Sequence, residues 1–175
     1  MMIKKVTSLG YLIIFLTFFF AASLIIISCN TSTSESVLER NKRFVLNMND
    51  VLWNKGKLDR MNEFFSPNIV RHFLPGGSNL KGIENLREDE KKLHEAFPDW
   101  HEDIKHIVAE GDLVVIHFVS TGTNKGSWFG NPPTGKRIQI NEMSILRIEN
   151  GKIAEQWLLP DIFSMEQQLG KTEKE

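Results

Sequence analysis

Cysteine is almost missing from this 175-residue chain: there is one, Cys29. A single thiol excludes an internal disulfide and any cysteine-based metal site. Excess charge is missing too. The 21 Lys and Arg nearly balance 22 Asp and Glu, leaving a formal charge of −1, so there is no basic field for nucleic acid. No segment repeats. The His, Asp and Glu residues show no ligand spacing of helical type, so no metal site is expected. One stretch imitates a phosphate loop, Gly130 to Lys136, but Arg137 stands where Ser or Thr is needed. Its prolines remove backbone donors, and a strand pattern follows where a helix is required.

Long apolar runs are confined to the start. Lys4 and Lys5 precede an uncharged run from Tyr11 to Ile27, closed by Ser28 and Cys29 and followed by polar residues. That order reads as a secretory signal. Ile26-Ile27-Ser28-Cys29 also resembles a bacterial lipobox, which implies cleavage before Cys29 and acylation of it, palmitate included. Several acyl chains hold a protein on a membrane stably. The expected product is a membrane-anchored lipoprotein of the bacterial cell envelope, facing away from the cytoplasm. An uncleaved anchor helix is the competing reading, because the run lies near the lower limit for spanning. The expected division is a signal peptide over 1–28, a tether over 29–36, one domain over 37–170 and a tail over 171–175.

Within the domain, Val37, Phe44, Val45, Met48 and Leu52 recur at helical spacing, and Asn54-Lys55-Gly56 ends that helix. A short helix is expected over 58–65, then a strand over Ile69 to Leu74. A third helix is expected from Gly82 to Phe97, with Ile83, Leu86, Leu93 and Phe97 buried and the REDEKK face solvated. From Trp100 the pattern is mostly strand, with segments to Ala109, over Leu113 to Gly122, Ile138 to Ile148 and Lys152 to Leu158. Asn150-Gly151 marks a tight hairpin. A closing helix covers Ile162 to Leu169. The order predicts an α+β domain, a curved antiparallel sheet with three helices on one face. Such a sheet can wrap into a cone around an apolar pocket.

Four blocks then carry a family likeness: HFLPGG at 72–77, AFPDW at 96–100, AEGDLVVIHFVSTGTNKGSWFGNPPTGKRI at 109–138 and RIENGKIAEQWLLPD at 147–161. With EQQLG at 166–170, they resemble the SnoaL-like polyketide cyclases, or ester cyclases, over about residues 40–170. The resemblance implies the nuclear transport factor 2-like cone. It implies ring closure by intramolecular aldol condensation, with no cofactor and no metal, begun by an acidic residue that removes an α-proton. By motif position that residue is Asp161. The implied partner is a small apolar carbonyl or ester compound in the pocket, and the fold leaves a homodimer through the sheet open.

The residues themselves admit two readings of Asp161. It is a general base if a cavity surrounds it, or the N-cap of the closing helix. His72 is a candidate partner that donates a hydrogen bond to a substrate carbonyl, or else a rim histidine. His117 faces opposite Ile116 and Phe118, on a side that alternation alone does not assign. Glu142 is either a second cavity carboxylate or a solvated strand position, and Glu155 shares that ambiguity. Trp53, Phe97, Trp128 and Trp157 supply aromatic surface for a substrate or for packing. A binding module without chemistry and a dimeric scaffold are the alternatives to an enzyme.

Overall fold

The computed structural model describes residues 37–74 and 76–170. The assigned signal peptide, Cys29, the tether and the tail lie outside the described residues. Every element below belongs to one compact unit, Leu38–Glu175. Helix α1 occupies 38–48 of this unit and continues as a π-helical stretch, Asn49–Asn54. A 3-10 turn, Leu58–Arg60, leads into the short α2, Met61–Phe64. Strand β1 (Phe65–Phe73) and the two-residue β2 (Leu80–Lys81) precede α3, Ile83–Ala96. Then come β3 (His101–Glu110), β4 (Leu113–Thr123), β5 (Arg137–Glu149), β6 (Lys152–Pro160) and α4 (Ile162–Leu169).

The strands form one six-stranded sheet in the order β2-β1-β6-β5-β4-β3. Its pairs are antiparallel except one: β1 runs parallel to β6, with Arg71 opposite Gln156 and His72 opposite Trp157. The expected antiparallel sheet thus contains one parallel pair. A long crossover connects the two strands, so no hairpin fixes their relative direction. Strand β1 also starts four residues earlier than expected, because Ser66-Pro67-Asn68 forms an irregularity inside the strand instead of a break before it. Register shifts also occur between Ile104 and His106 and between Arg147 and Ile148. Each inserts extra backbone on one strand and bends it, which curls the open sheet.

One sheet face is buried. Strand β4 alternates Val114, Ile116, Phe118 and Ser120 inward, and β5 alternates Ile138, Ile140, Glu142, Ser144 and Leu146. Val45, Met48 and Leu52 from the first helix and Leu86 from α3 cover this face. Fully burying each such side chain stabilises by about 1.5–3 kcal/mol. Asn150 at φ 51° and Gly151 at φ 73° make the β5–β6 turn, the paired positive values of a two-residue hairpin. A second apolar cluster joins Phe97, Trp100, Ile138, Ile140, Met165 and Leu169.

The β4–β5 loop is pinned by Asn124, which is fully buried. Its Oδ1 accepts from the Thr134 backbone N–H at 2.8 Å, and its Nδ2 donates to the Gly126 carbonyl at 2.9 Å. Gly126 crosses the end of α3 so closely that a Cβ there would lie 2.3 Å from the Glu95 carbonyl oxygen. This contact holds the following Trp128 against Phe97, edge to face, with centroids 5.5 Å apart.

Candidate active site

Between the buried sheet face and the helices lies a cavity of about 710 Å³. Its walls are largely aromatic and aliphatic, with Trp53, Phe73, Trp100, Phe118 and Trp128 among them. Charged groups interrupt them. Arg71, on the inward side of β1, is almost wholly buried, as is Glu90 of α3. Arg71 Nη1 lies 2.6 Å from Glu90 Oε1 and 3.5 Å from Asp89 Oδ2. Its Nε donates to Gln156 Oε1 at 2.9 Å, and Gln156 Nε2 donates to Ser144 Oγ at 3.0 Å. The guanidinium is therefore spoken for by the wall itself. Burial raises the Glu90 carboxyl above its ordinary value, and Arg71 opposes that rise.

Glu142 differs from Glu90 in having, among the described residues, no ion-pair partner. It projects from the inner side of β5, is only 6% exposed, and faces the cavity. Ser120 Oγ donates a short hydrogen bond to its Oε1. Burial pushes its carboxyl up to about 7, the Ser120 bond and Arg71 pull it down, and Glu90 and Asp161 push it further up. Glu102 of β3 stands nearby. It accepts from Asn49 Nδ2 at 2.6 Å and from Trp100 Nε1 at 3.2 Å. Burial, reinforced by Glu142 and Glu90, raises its carboxyl well above the usual carboxylate range. A cavity that holds one carboxyl, Glu142, close to neutral pH can both take and return a proton.

Asp161 also lines this cavity, at the start of α4. Its Oδ1 accepts from the Ser164 backbone N–H at 3.0 Å, so it is the helix N-cap. Bonds from the Ser164 hydroxyl and backbone N–H hold its carboxyl below the ordinary value. Asp161 thus lines the cavity and caps α4 at once, and the capping bonds favour the charged form. Trp53, Trp128 and Glu142 share the cavity with it.

The other candidates lie elsewhere. His72 and Trp157 are neighbours on the outer side of β1 and β6, with near-parallel rings 5.3 Å apart. His72 Nε2 pairs with Glu155 Oε1 at 2.8 Å, and Glu155 Oε2 accepts from Arg147 Nε at 3.1 Å. His117 is on the same outer face, opposite His106 and Met143. Phe97 is fully buried behind the cavity wall. None of these four is among the cavity-lining residues. For the three strand residues, His72, His117 and Trp157, alternation is the reason: side chains alternate faces, so Arg71 enters where its neighbour His72 cannot. The REDEKK segment needs correcting as well, since it is not wholly a solvated face; Glu90 turns inward to meet Arg71.

A family model described as SnoaL-like polyketide cyclase matches residues 43–169. Among solved structures, AclR of Streptomyces galilaeus, a candidate hydroxylase, is similar at 27% identity. That match covers 79% of this chain and 85% of that one, with a TM-score of 0.70. IdmH of Streptomyces antibioticus, a candidate polyketide cyclase, is similar at 27% identity, over 74% and 98% of the two chains, with a TM-score of 0.65. A candidate SnoaL-like polyketide cyclase of Jannaschia sp. CCS1 shares the fold at 23% identity, over 78% and 95%, with a TM-score of 0.71. Among curated proteins, none matches the sequence.

Proposed function

The chain belongs to the SnoaL-like polyketide cyclase family, and from that premise we propose that its cavity performs cofactor-free proton transfer on a small carbonyl or ester compound. The reaction is an enolisation that leads to aldol-type closure or to isomerisation. One observation carries the reading: Glu142 is a buried carboxyl facing an apolar cavity, held by Ser120 and poised at about 7. A group at that value is present in both forms at neutral pH. Neutral, it donates a hydrogen bond to a carbonyl oxygen; ionised, it removes an α-proton. The aromatic walls take the apolar body of the compound. Asp161, ionised at the same cavity, keeps the negative charge that raises Glu142.

The test is α-proton exchange. The full-length chain in mild detergent, in D2O, is given a panel of β-keto esters, and deuterium at the α-carbon is followed by NMR. Exchange above background, reduced about 10²- to 10⁴-fold in Glu142→Gln, is expected for a general acid–base group. Equal exchange in both proteins would rule out the assigned role. A second reading, capture of a ligand without chemistry, has one observation in its favour: the capping bonds that occupy Asp161. It predicts a small molecule retained in native mass spectrometry and no exchange.

The same proposal sets the protein on a membrane as a lipoprotein acylated at Cys29. Lys4 and Lys5, the run Tyr11 to Ile27 and the pair Ser28-Cys29 support it. Radiolabelled palmitate should enter the wild type and be absent from Cys29→Ser, and label in that variant would overturn the anchor.

A further inference from the structure

The outer face of the sheet holds a histidine pair that the cavity chemistry does not use. His106 on β3 and His117 on β4 are direct cross-strand partners. Their Nδ1 atoms lie 3.0 Å apart, the ring planes differ by 15°, and the centroids are 5.3 Å apart. Nitrogens this near with centres this far place both Nδ1 atoms on the line between the rings. The imidazoles therefore meet edge to edge in almost one plane, through a single N–H···N bond.

The neighbour Asn141 settles which ring donates. Its Oδ1 lies 3.3 Å from His117 Nε2. A carbonyl oxygen only accepts, so His117 donates from Nε2, and in its neutral form the ring offers a lone pair at Nδ1. His106 is then the donor at Nδ1. A metal-binding histidine has this arrangement, with the far nitrogen's N–H anchored on an oxygen and the near nitrogen's lone pair directed at the ion.

A third ligand stands in the same row. Met143 on β5 is the direct partner of His117 on its other side. It is 48% exposed, an uncommon setting for a thioether. Side chains directly opposite one another have Cβ atoms about 5 Å apart, within reach of a flexible methionine. Val108, Ile145 and Leu159 are exposed around the row. Among the described residues, no three His, Cys, Asp or Glu side chains gather as a metal site. A hard or doubly charged ion therefore finds no anionic set here. Two neutral imidazoles and one thioether suit a soft monovalent cation.

We propose that His106, His117 and Met143 form a cuprous-ion site on the outer sheet face. The ion takes the position of the shared proton between the two Nδ1 atoms, which separate to about 4 Å, two metal–imidazole bonds of about 2 Å each. The His106 proton moves from Nδ1 to Nε2, so the ring stays neutral and no proton is released. Met143 supplies a third bond through Sδ. Copper remains Cu(I) throughout, and no electron is transferred. The site lies on the face opposite the cavity, so it stands or falls independently of the proton-transfer reading.

The test is anaerobic Cu(I) titration of the full-length chain against bicinchoninate, with any Cys29 thiol that carries no acyl chain blocked by iodoacetamide so that it takes no copper. One equivalent should be withdrawn from the indicator. His117→Gln and Met143→Leu, both at outward positions, should each weaken binding at least tenfold while the thermal midpoint stays unchanged. The His106 and His117 ring resonances should shift on titration in the wild type. Affinity in His117→Gln within threefold of wild type overturns the site. So does full affinity in Met143→Leu, or Zn(II) binding as tightly as Cu(I).

Discussion

Replacing Glu142 by Gln separates the electrostatics of the cavity from its chemistry. Glutamine is close in shape to the neutral acid and keeps an oxygen that accepts from Ser120. The wild-type carboxyl is raised from an ordinary 4.5 to about 7 in the folded protein. The folded state therefore binds this proton more tightly than the unfolded state. Below 4.5 both states hold it, and Glu142 adds no pH dependence. As pH rises from 4.5 to 7 the unfolded chain gives it up first, and folding stability falls. Above 7 the full cost of a buried carboxylate is present. At 1.36 kcal/mol per pH unit the cost is about 3 kcal/mol. Glu142→Gln should thus match wild type within about 0.5 kcal/mol near pH 4.5 and exceed it by about 2–3 kcal/mol at pH 8.5. Removing Glu142 also takes away one cause of the raised Glu102 carboxyl, which acts in the same direction. Urea denaturation of the full-length chain, followed by tryptophan fluorescence across this range, measures the difference. A gap that stays constant with pH, or a variant less stable at pH 8.5, would falsify the assignment of a neutral buried carboxyl.

Two further outcomes concern packing, one in the cavity wall and one in the β4–β5 loop. Arg71→Met leaves Glu90 buried without its cation and should cost about 3–5 kcal/mol, with most of the loss recovered when Glu90→Leu is added; denaturation midpoints of the single and double variants decide it. Gly126→Ala pushes a methyl to 2.3 Å from the Glu95 carbonyl, where backbone must yield, so a loss of about 1–3 kcal/mol is expected from the thermal midpoint.

The sheet was legible because its burial is periodic. Leu113 to Thr123 and Arg137 to Glu149 alternate almost without a fault, and a period of two is a signal that a single chain carries by itself. Asn150-Gly151 and the closing helix, Ile162–Leu169, were legible for the same reason, since turn chemistry and capping are local. What the chain did not disclose depends on pairing at a distance. Nothing near His72 says that β1 lies parallel to β6, nor that Arg71 and not His72 turns inward. Glu90 looked solvated because its six-residue neighbourhood is charged. Its partner lies on a strand that precedes α3, across the core. Glu142 was visible as a candidate, but its raised carboxyl comes first from burial and then from the balance of Ser120, Glu90, Arg71 and Asp161, none of those four within ten residues of it.

Two of the carboxylates that sequence put forward, Asp161 and Glu142, have opposite environments inside one cavity. Asp161 accepts bonds at a helix N-terminus, which stabilise its charge. Glu142 is buried with one hydroxyl and, among the described residues, no ion-pair partner, which penalises its charge. The field of the first reaches the second and raises it further. Groups driven apart in this way divide labour: the low one stays ionised, and the high one exchanges its proton near neutrality. The family motif points to Asp161 because it is carried on a recognisable stretch of sequence, whereas the physical chemistry of the cavity favours Glu142 as the group that moves the proton. On the proposed reading Asp161 acts through Glu142. Asp161→Asn would then lower the pH at which α-proton exchange switches on, without abolishing it.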